Sequence, residues 1–171
     1  MVIWLIGISG AGKTTLGNKL KEYFDSLNKD AFVIDGNFVR EFFDDDLGFS
    51  KEDRIANIKR IILAAHILSQ NNIITIVCNI SPFEPLREFM RKKVRDYNEI
   101  YLKRDLEICQ KDDVKKIYQN NIGKTEIVGM DLKFDQPKNS DLIIDTGKES
   151  AEESFKKIIN YLKNKYPKQL K

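Results

Sequence analysis

Residues 7–14 read Gly7-Ile8-Ser9-Gly10-Ala11-Gly12-Lys13-Thr14 and fit the pattern G-x-x-x-x-G-K-[ST]. In this pattern backbone N–H groups surround a triphosphate, the lysine reaches the outer phosphates, and the hydroxyl holds Mg²⁺. The apolar run before it, residues 2–6, is typical of a buried parallel strand, and the apolar residues after it recur at helical spacing. Strand, glycine loop and helix therefore predict a phosphate-binding loop whose helix N-terminus favours anions. The alternative is a glycine-rich turn that binds no ligand.

Four further apolar runs, at residues 31–34, 73–78, 99–102 and 141–145, alternate with amphipathic helical patterns. This alternation is typical of parallel strands joined by right-handed helical crossovers. We therefore expect an α/β protein with the P-loop nucleoside-triphosphate-binding fold, a doubly wound parallel sheet of about five strands. Ser50, followed by Asp53, is expected to cap the helix that begins after it.

Composition limits the classes of partner and compartment. The 171 residues, without repeats or linkers, predict one domain over residues 1–171. A formal net charge of +3 on scattered lysines does not favour a nucleic-acid partner. Cys78 and Cys109 lack the spacing of metal ligands or of a disulfide framework. Because no leader peptide or bilayer-spanning run is visible, we expect a cytoplasmic protein that does not contact a membrane.

Polar residues follow the second predicted strand at Asp35-Gly36-Asn37. The carboxyl ends of parallel strands face the ligand crevice, so Asp35 should lie near the phosphate loop, with Arg40 one helical turn further on. The acidic loop 44–46 could hold a metal ion, but a solvated loop is the favoured interpretation. A lid is predicted over about residues 105–137, where a charged, short-helical stretch from Asp105 to Tyr118 is followed by a stretch with little periodicity up to Pro137. A lid, together with the absence of an N-K-x-D guanine-binding motif, favours a small-molecule kinase over a switch GTPase.

An ordered set of motifs resembles the adenylylsulfate (APS) kinase family from Val2 to about Thr146. These motifs are GISGAGKTT, DGNFVR, LGFSKEDRIANIKR, NISPF, EIYLKRDLEICQKDDVKKIY and VGMD. The resemblance implies a kinase that uses ATP and Mg²⁺. Its acceptor would be the ribose 3′-hydroxyl of a small-molecule nucleotide whose 5′-phosphate carries a second acidic group. The resemblance also implies a possible homodimer.

The resemblance assigns roles to matching positions of this chain. Residues that would bind the ATP phosphates are Gly7, Ser9, Gly10, Ala11, Gly12, Lys13, Thr14 and Thr15. Lys13, Asp35 and Asn37 would form the catalytic group, with Thr14 and Asp35 holding Mg²⁺ and Asp35 organising the metal or taking the acceptor proton. The acceptor would be bound by Arg40, Phe49, Arg54, Asn57, Ile80, Ser81, Lys115 and Ile127. Phe49 would stack on its base, the Ile80-Ser81 backbone would line its 5′ end, and Lys115 would add positive charge from the lid. In the alternative interpretation Arg40 and Arg54 form surface ion pairs and Phe49 belongs to the core.

Four positions depart from the family pattern. Asn37 replaces an aspartate, Ile127 replaces an aromatic residue that closes over the acceptor adenine, and Glu84 and Asp112 replace arginines. These changes favour cytidine diphosphoramidate as the acceptor, as in a relative that serves capsule phosphoramidate modification. One alternative is an adenylylsulfate kinase that makes 3′-phosphoadenylylsulfate for sulfate assimilation. Another is a nucleotide-binding regulatory module without catalysis.

Overall fold

A five-stranded, fully parallel sheet forms the centre of the computed structural model, which describes residues 1–113, 116–121 and 125–170. The strands are β1 (Val2–Ile6), β2 (Ala31–Asp35), β3 (Ile74–Cys78), β4 (Tyr97–Lys103) and β5 (Leu142–Asp145). Their spatial order is β2-β3-β1-β4-β5, so β1 lies in the middle and pairs with β3 and β4. The doubly wound α/β fold is therefore confirmed.

Helices cover both faces of the sheet. They are α1 (Lys13–Ser26), α2 (Gly36–Phe42), α3 (Lys51–Gln70), α4 (Glu84–Lys93), α5 (Leu106–Lys111), α6 (Ile117–Asn121) and α7 (Ala151–Lys165). Successive side chains of a strand point to opposite faces. Ile3 and Leu5 accordingly belong to a core with α1 and α7, whereas Val2, Trp4 and Ile6 belong to a second core with α3 and α4. This two-sided burial explains why β1 is apolar at every position.

The ends of several elements refine the sequence-based expectations. Ser50 caps α3, since its Oγ accepts a 3.1 Å hydrogen bond from the N–H of Asp53. Strand β4 begins at Tyr97, two residues earlier than expected, because the buried Asn98 and Glu99 find hydrogen-bond partners. The charged stretch after β4 contains the two short helices α5 and α6.

The described residues contain neither a membrane-spanning helix nor a cluster of metal-binding side chains. No described helix combines the length and the apolar character needed to cross a membrane. Among the same residues, no group of three or more His, Cys, Asp or Glu side chains could hold a metal ion. In the acidic loop, Asp46 forms an ion pair with Arg60, with both oxygen–nitrogen distances at 2.7 Å.

Candidate active site

The phosphate loop connects β1 to α1 in a conformation that requires glycine. Gly7 has a φ of +145°, and a Cβ there would stand 2.5 Å from the carbonyl oxygen of Leu102. Gly10 has a φ of +79°, and a Cβ there would lie 3.3 Å from the Cβ of Cys109. A side chain at either position would therefore combine backbone strain with a close contact.

Lys13 and Thr14, at the start of α1, place a cation and a hydroxyl at this loop. The Lys13 ammonium donates hydrogen bonds of 2.8 Å to the carbonyls of Gly7 and Ile8. The Thr14 hydroxyl donates to Oδ2 of Asp35 at 3.2 Å. Oδ1 of Asp35 caps α2 by accepting a 2.9 Å hydrogen bond from the N–H of Asn37. The hydroxyl and carboxylate oxygens thus meet beside the loop, and such oxygens are the ligands Mg²⁺ prefers.

A cavity of about 640 Å³ opens over the carboxyl ends of the strands. The predicted site residues on its wall are Ser9, Gly10, Gly12, Lys13, Thr14, Thr15, Asp35, Asn37, Arg40, Phe49, Arg54, Asn57, Ile80 and Ile127. Gly7, Ala11 and Ser81 are buried and do not line it. Lys115 lies outside the described residues. The fold therefore brings most of the predicted site into one cavity.

The polar atoms of Ser81 form hydrogen bonds within the protein, whereas the resemblance implied that its backbone lines the acceptor. Its hydroxyl accepts a 2.9 Å hydrogen bond from the Trp4 indole, and its carbonyl accepts one of 2.7 Å from Arg87. Its own N–H donates to Oδ1 of Asn79. Of the expected Ile80-Ser81 pair, only Ile80 reaches the cavity wall.

The guanidinium groups of Arg40 and Arg54 both lie close to the Phe49 ring. Arg40 is buried and donates to the carbonyls of Leu47 and Gly48, and its guanidinium carbon lies 4.5 Å from the ring centroid. Arg54 donates to the carbonyls of Phe49 and Glu126 at 2.8 Å and 2.6 Å and lies 5.4 Å from the same centroid. The ring itself is 42% exposed. In the described part of the chain neither arginine forms an ion pair, so their alternative interpretation as ion-pair partners finds no support.

Burial and nearby carboxylates act in opposite directions on the pKa values of this arginine pair, since burial lowers both values whereas Asp53 raises that of Arg40 and Glu126 raises that of Arg54. Burial lowers the pKa of Arg40 from its ordinary value. Burial also lowers the pKa of Arg54, and the neighbouring positive charge of Arg40 lowers it further. Both guanidinium groups still carry their charge, because an arginine stays protonated in proteins. Two desolvated cations on one cavity wall favour an anionic ligand.

Asn57 presents an unused acceptor atom at the same end of the cavity. Its Nδ2 donates to the carbonyl of Gly36 at 3.1 Å, which fixes the side chain against α2. Its Oδ1 is buried and has no hydrogen-bond partner among the described residues. A hydroxyl or amino group of a ligand would satisfy this oxygen.

Ile127 belongs to a small apolar cluster that covers the phosphate loop. It lies with Cys109 and Tyr118 in a buried group against Ile8 and Leu106. The Tyr118 hydroxyl donates to the carbonyl of Ser9 at 2.8 Å, and burial raises the pKa of this phenol. Ile127 is itself only 5% exposed, so most of its surface contacts protein. The predicted lid region is thus joined directly to the phosphate loop.

The four residues that depart from the family pattern do not all lie on the cavity wall. Asn37, Asp112 and Ile127 line the cavity, whereas Glu84 does not. Glu84 forms an ion pair with the buried Arg87, whose guanidinium also donates to the carbonyl of Asp135. The negative charge of Glu84 is therefore paired with Arg87 away from the cavity wall, whereas we expected it to lie near the nucleotides.

Sequence reasoning missed Arg104 as a wall residue. It directly follows β4, lines the cavity and forms an ion pair with Asp112. Its position after a strand, the same signal that identified Asp35, could have indicated it. The run of neighbouring charges at residues 103–105 concealed that signal.

Comparisons with known proteins agree on one family. The family described as adenylylsulphate kinase matches residues 1–145. The adenylyl-sulfate kinase of Halothermothrix orenii is 37% identical, covering 96% of this chain and 90% of that relative. That of a Picosynechococcus strain is also 37% identical, with 95% and 93% covered.

Among solved structures, the APS kinase of Mycobacterium tuberculosis in complex with AMPPNP and APS superposes with a TM-score of 0.87. It is 28% identical and covers 95% of this chain and 96% of that one. Shikimate kinase of Aquifex aeolicus has a TM-score of 0.56 at 18% identity, with 98% and 99% covered, and shares the fold.

Proposed function

This chain belongs to the adenylylsulphate kinase family, and from that premise we propose that it transfers the γ-phosphate of ATP to the ribose 3′-hydroxyl of adenylyl sulfate. The product is 3′-phosphoadenylyl sulfate. The observation that carries the proposal is the cavity itself, whose wall combines the phosphate loop with Arg40, Arg54 and the exposed ring of Phe49. Curated relatives that cover nearly the whole chain are named adenylyl-sulfate kinases, which supports this acceptor.

The phosphate loop forms the part of the site that binds the phosphoryl donor. The backbone N–H groups of the loop and the Lys13 ammonium bind the phosphates of ATP. Thr14 and Asp35 would hold Mg²⁺, whose charge, when it is bound, neutralises the phosphates. The related M. tuberculosis enzyme binds AMPPNP, a nonhydrolysable ATP analogue, which supports ATP as the donor.

The acceptor end is built for a planar base and an anion. The exposed face of Phe49 stacks on the base, while Arg40 and Arg54 supply positive charge. Oδ1 of Asn57 accepts a hydrogen bond from the acceptor. Since phosphoryl transfer has a loose transition state, these groups act mainly by alignment and electrostatic stabilisation. Asp35, next to Thr14, is the carboxylate that receives the proton of the 3′-hydroxyl.

Cytidine diphosphoramidate is the second candidate acceptor. The observation in its favour is Ile127, an aliphatic side chain in a cavity wall where an aromatic residue would stack on adenine. A single-ring pyrimidine needs less stacking surface than adenine. Because the relatives are named for adenylyl sulfate, this acceptor is now the weaker hypothesis.

A coupled assay of ADP release with Mg-ATP tests the proposal, with adenylyl sulfate and cytidine diphosphoramidate supplied side by side at equal concentrations. We expect kcat/KM to be higher for adenylyl sulfate. A higher kcat/KM for the cytidine compound would transfer the assignment to the second candidate. No ADP release with either acceptor, from a protein that still binds ADP, would support the regulatory module instead.

A further inference from the structure

The phosphate loop divides the cavity into two ends, because β1 lies in the middle of the sheet. Asp35, Arg40 and Phe49 follow β2, which lies two positions from β1 on one side. Arg104 follows β4, which is the neighbour of β1 on the other side. If the acceptor occupies the Phe49 end, the nucleoside of the phosphoryl donor must extend toward the Arg104 end.

Arg104 is held at that end by an ion pair with one element and lies close to a second. Its guanidinium forms an ion pair with Asp112, the C-terminal capping residue of α5. Its Cγ lies 3.9 Å from where a Cβ on Gly147 would stand, in the loop after β5. That loop also reaches the phosphate loop, since the Thr146 hydroxyl donates to the carbonyl of Ala11 at 3.1 Å. The arginine therefore lies beside the outer side of the phosphate loop.

The part of the Arg104 side chain that does not contact Asp112 is partly accessible to a ligand. The side chain is 21% exposed and contributes to the cavity wall. Its Nε is buried and has no hydrogen-bond partner in the described part of the chain. A guanidinium is planar and weakly hydrated, so its face stacks well on an aromatic ring. An arginine whose edge is fixed by a carboxylate offers such a face without further loss of side-chain entropy.

We propose that Arg104 stacks on the nucleobase of the phosphoryl donor and that Asp112 is its positioning residue. The inference rests on the proposed function in two respects: the donor is a nucleoside triphosphate, and the acceptor occupies the Phe49 end of the cavity. It makes no use of the identity of the acceptor. Arg104 contributes to affinity through the base, whereas Lys13 and the loop backbone contribute through the phosphates.

Calorimetric titration with two ligands separates these contributions. Mg-ADP carries a base, and inorganic tripolyphosphate with Mg²⁺ carries only phosphates. For Arg104→Ala we expect the Kd of ADP to rise roughly fivefold to thirtyfold and the Kd of tripolyphosphate to change less than twofold. Arg104→Lys keeps the charge but loses the plane, so its Kd for ADP should rise nearly as much. Asp112→Asn should raise the Kd of ADP by a smaller factor.

Arg95→Ala is the matched control, since the Arg95 side chain is 84% exposed, lies outside the cavity wall and pairs with Asp96. It should bind both ligands as the wild type does. An equal loss of affinity for ADP and tripolyphosphate would show that Arg104 acts on phosphate and would overturn the proposal. So would full ADP affinity in Arg104→Lys, or a raised KM for the acceptor with unchanged ADP binding.

The same titration separates failure of this inference from failure of the proposed function. A wild-type protein that does not bind Mg-ADP would contradict the kinase assignment. A wild type that binds ADP, with an Arg104→Ala variant that binds it equally well, would contradict only the role of Arg104. Because the Arg104–Asp112 pair is partly exposed, its loss should leave the fold intact. A thermal unfolding scan of each variant checks this.

Discussion

Lys13 holds its ammonium group against the phosphate loop, where the carbonyls of Gly7 and Ile8 accept its hydrogen bonds. In the transition state this charge stabilises the transferring phosphoryl group, and few other groups can replace it. We expect Lys13→Ala to lower kcat/KM for ATP by about a thousandfold in the ADP-release assay. Lys19→Ala is the control, because Lys19 lies on the same helix in an exposed ion pair with Glu152. A Lys13→Ala enzyme with a tenth of the wild-type activity would contradict this role.

Phe49 is expected to affect the kinetics of the two substrates differently, because it lies at the end of the cavity where we propose that the acceptor binds. Its ring is exposed at the acceptor end of the cavity, where Arg40 and Arg54 fix it. Phe49→Ala should raise the KM of the acceptor roughly tenfold, because the stacking surface is lost, and leave the KM of ATP unchanged. Steady-state kinetics with each substrate varied in turn measure both values.

Phe42→Ala provides the comparison for Phe49, since the Phe42 ring is 72% exposed on α2 and is absent from the cavity wall. It should leave both KM values unchanged. If Phe49→Ala raised the KM of ATP and of the acceptor by the same factor, Phe49 would be a general structural support and not a binding surface.

Among individual residues, the motif predicted Lys13, Thr14 and Asp35 because each has a fixed position in a known chemical arrangement. Contacts made across the fold could not be predicted in this way. Ser81 accepts a hydrogen bond from Trp4, 77 residues away in the chain, a separation that no local pattern reveals. Glu84 pairs with Arg87 three residues further along α4, but the sequence alone does not show that Arg87 is buried. From the sequence alone, without these protein partners, both positions look like parts of a binding site.

Helix α1 packs on β3 through a glycine. A Cβ on Gly17 would stand 2.4 Å from Sγ of Cys78, a distance at which one of the two groups must move. The thiol also contacts the carbonyl of Lys13 at 3.3 Å, so displacing it costs a further contact. Overpacking should exceed the helix-propensity gain of about 1 kcal/mol, so we expect Gly17→Ala to lower the free energy of unfolding by about 1–2 kcal/mol. Denaturant unfolding measures this change.

Removing the thiol should reverse the sign of that effect. In a Cys78→Ala background the clash is absent, and Gly17→Ala should then be neutral or stabilising through its helix propensity. Asn18→Ala, one residue further along an exposed part of α1, reports the propensity gain alone. Equal effects of Gly17→Ala in both backgrounds would show that the contact with Cys78 is not the cause.

At the level of elements, the sequence predicts strands well where both faces are apolar, as in β1 and β3. It predicts the start of β4 poorly, because Asn98 looks like a loop residue and the predicted strand begins only at Glu99. Their burial is permitted by Val2, Ser140 and Tyr161, which supply hydrogen bonds from distant parts of the chain. The segment from Asp105 to Tyr118 is predicted to be short-helical, and the two short helices α5 and α6 begin within it.

Across the whole molecule, Asp141 joins helices from opposite faces of the sheet. It pairs with Arg91 of α4 at 3.3 Å and with Lys165 of α7 at 3.1 Å, and it accepts a hydrogen bond from the N–H of Glu99. Burial by itself raises the pKa of Asp141, but that hydrogen bond and the two cations outweigh it and hold the pKa below its ordinary value. The ionised carboxylate is therefore a stabilising group.

The stability from Asp141 should depend on pH. Since its pKa is lower in the folded state than in the unfolded chain, its contribution is complete above about pH 4 and is lost as the pH falls through the folded value. We expect Asp141→Asn to lower the free energy of unfolding by about 1–3 kcal/mol at pH 7, with the difference from wild type shrinking below pH 4. Urea unfolding at a series of pH values measures both.

Asp25→Asn serves as the control, because Asp25 pairs with Lys21 at a surface position where its side chain is 50% exposed. Such pairs contribute little, so its effect should stay below about 0.5 kcal/mol at every pH. A constant deficit for Asp141→Asn from pH 7 to pH 3 would indicate lost packing rather than lost charge.

Because β1 lies between β3 and β4 in the sheet, it cannot pair until those later strands have been synthesised. Val2 pairs with Thr75 on one side and with Tyr97 on the other, so this strand leaves the ribosome well before either partner exists. At a synthesis rate of roughly 5–20 residues per second, it waits on the order of 4–15 seconds for β3. During that interval a fully apolar segment has no sheet to join. The phosphate loop attached to it is therefore translated early but reaches its folded surroundings only after β3 and β4 have been synthesised.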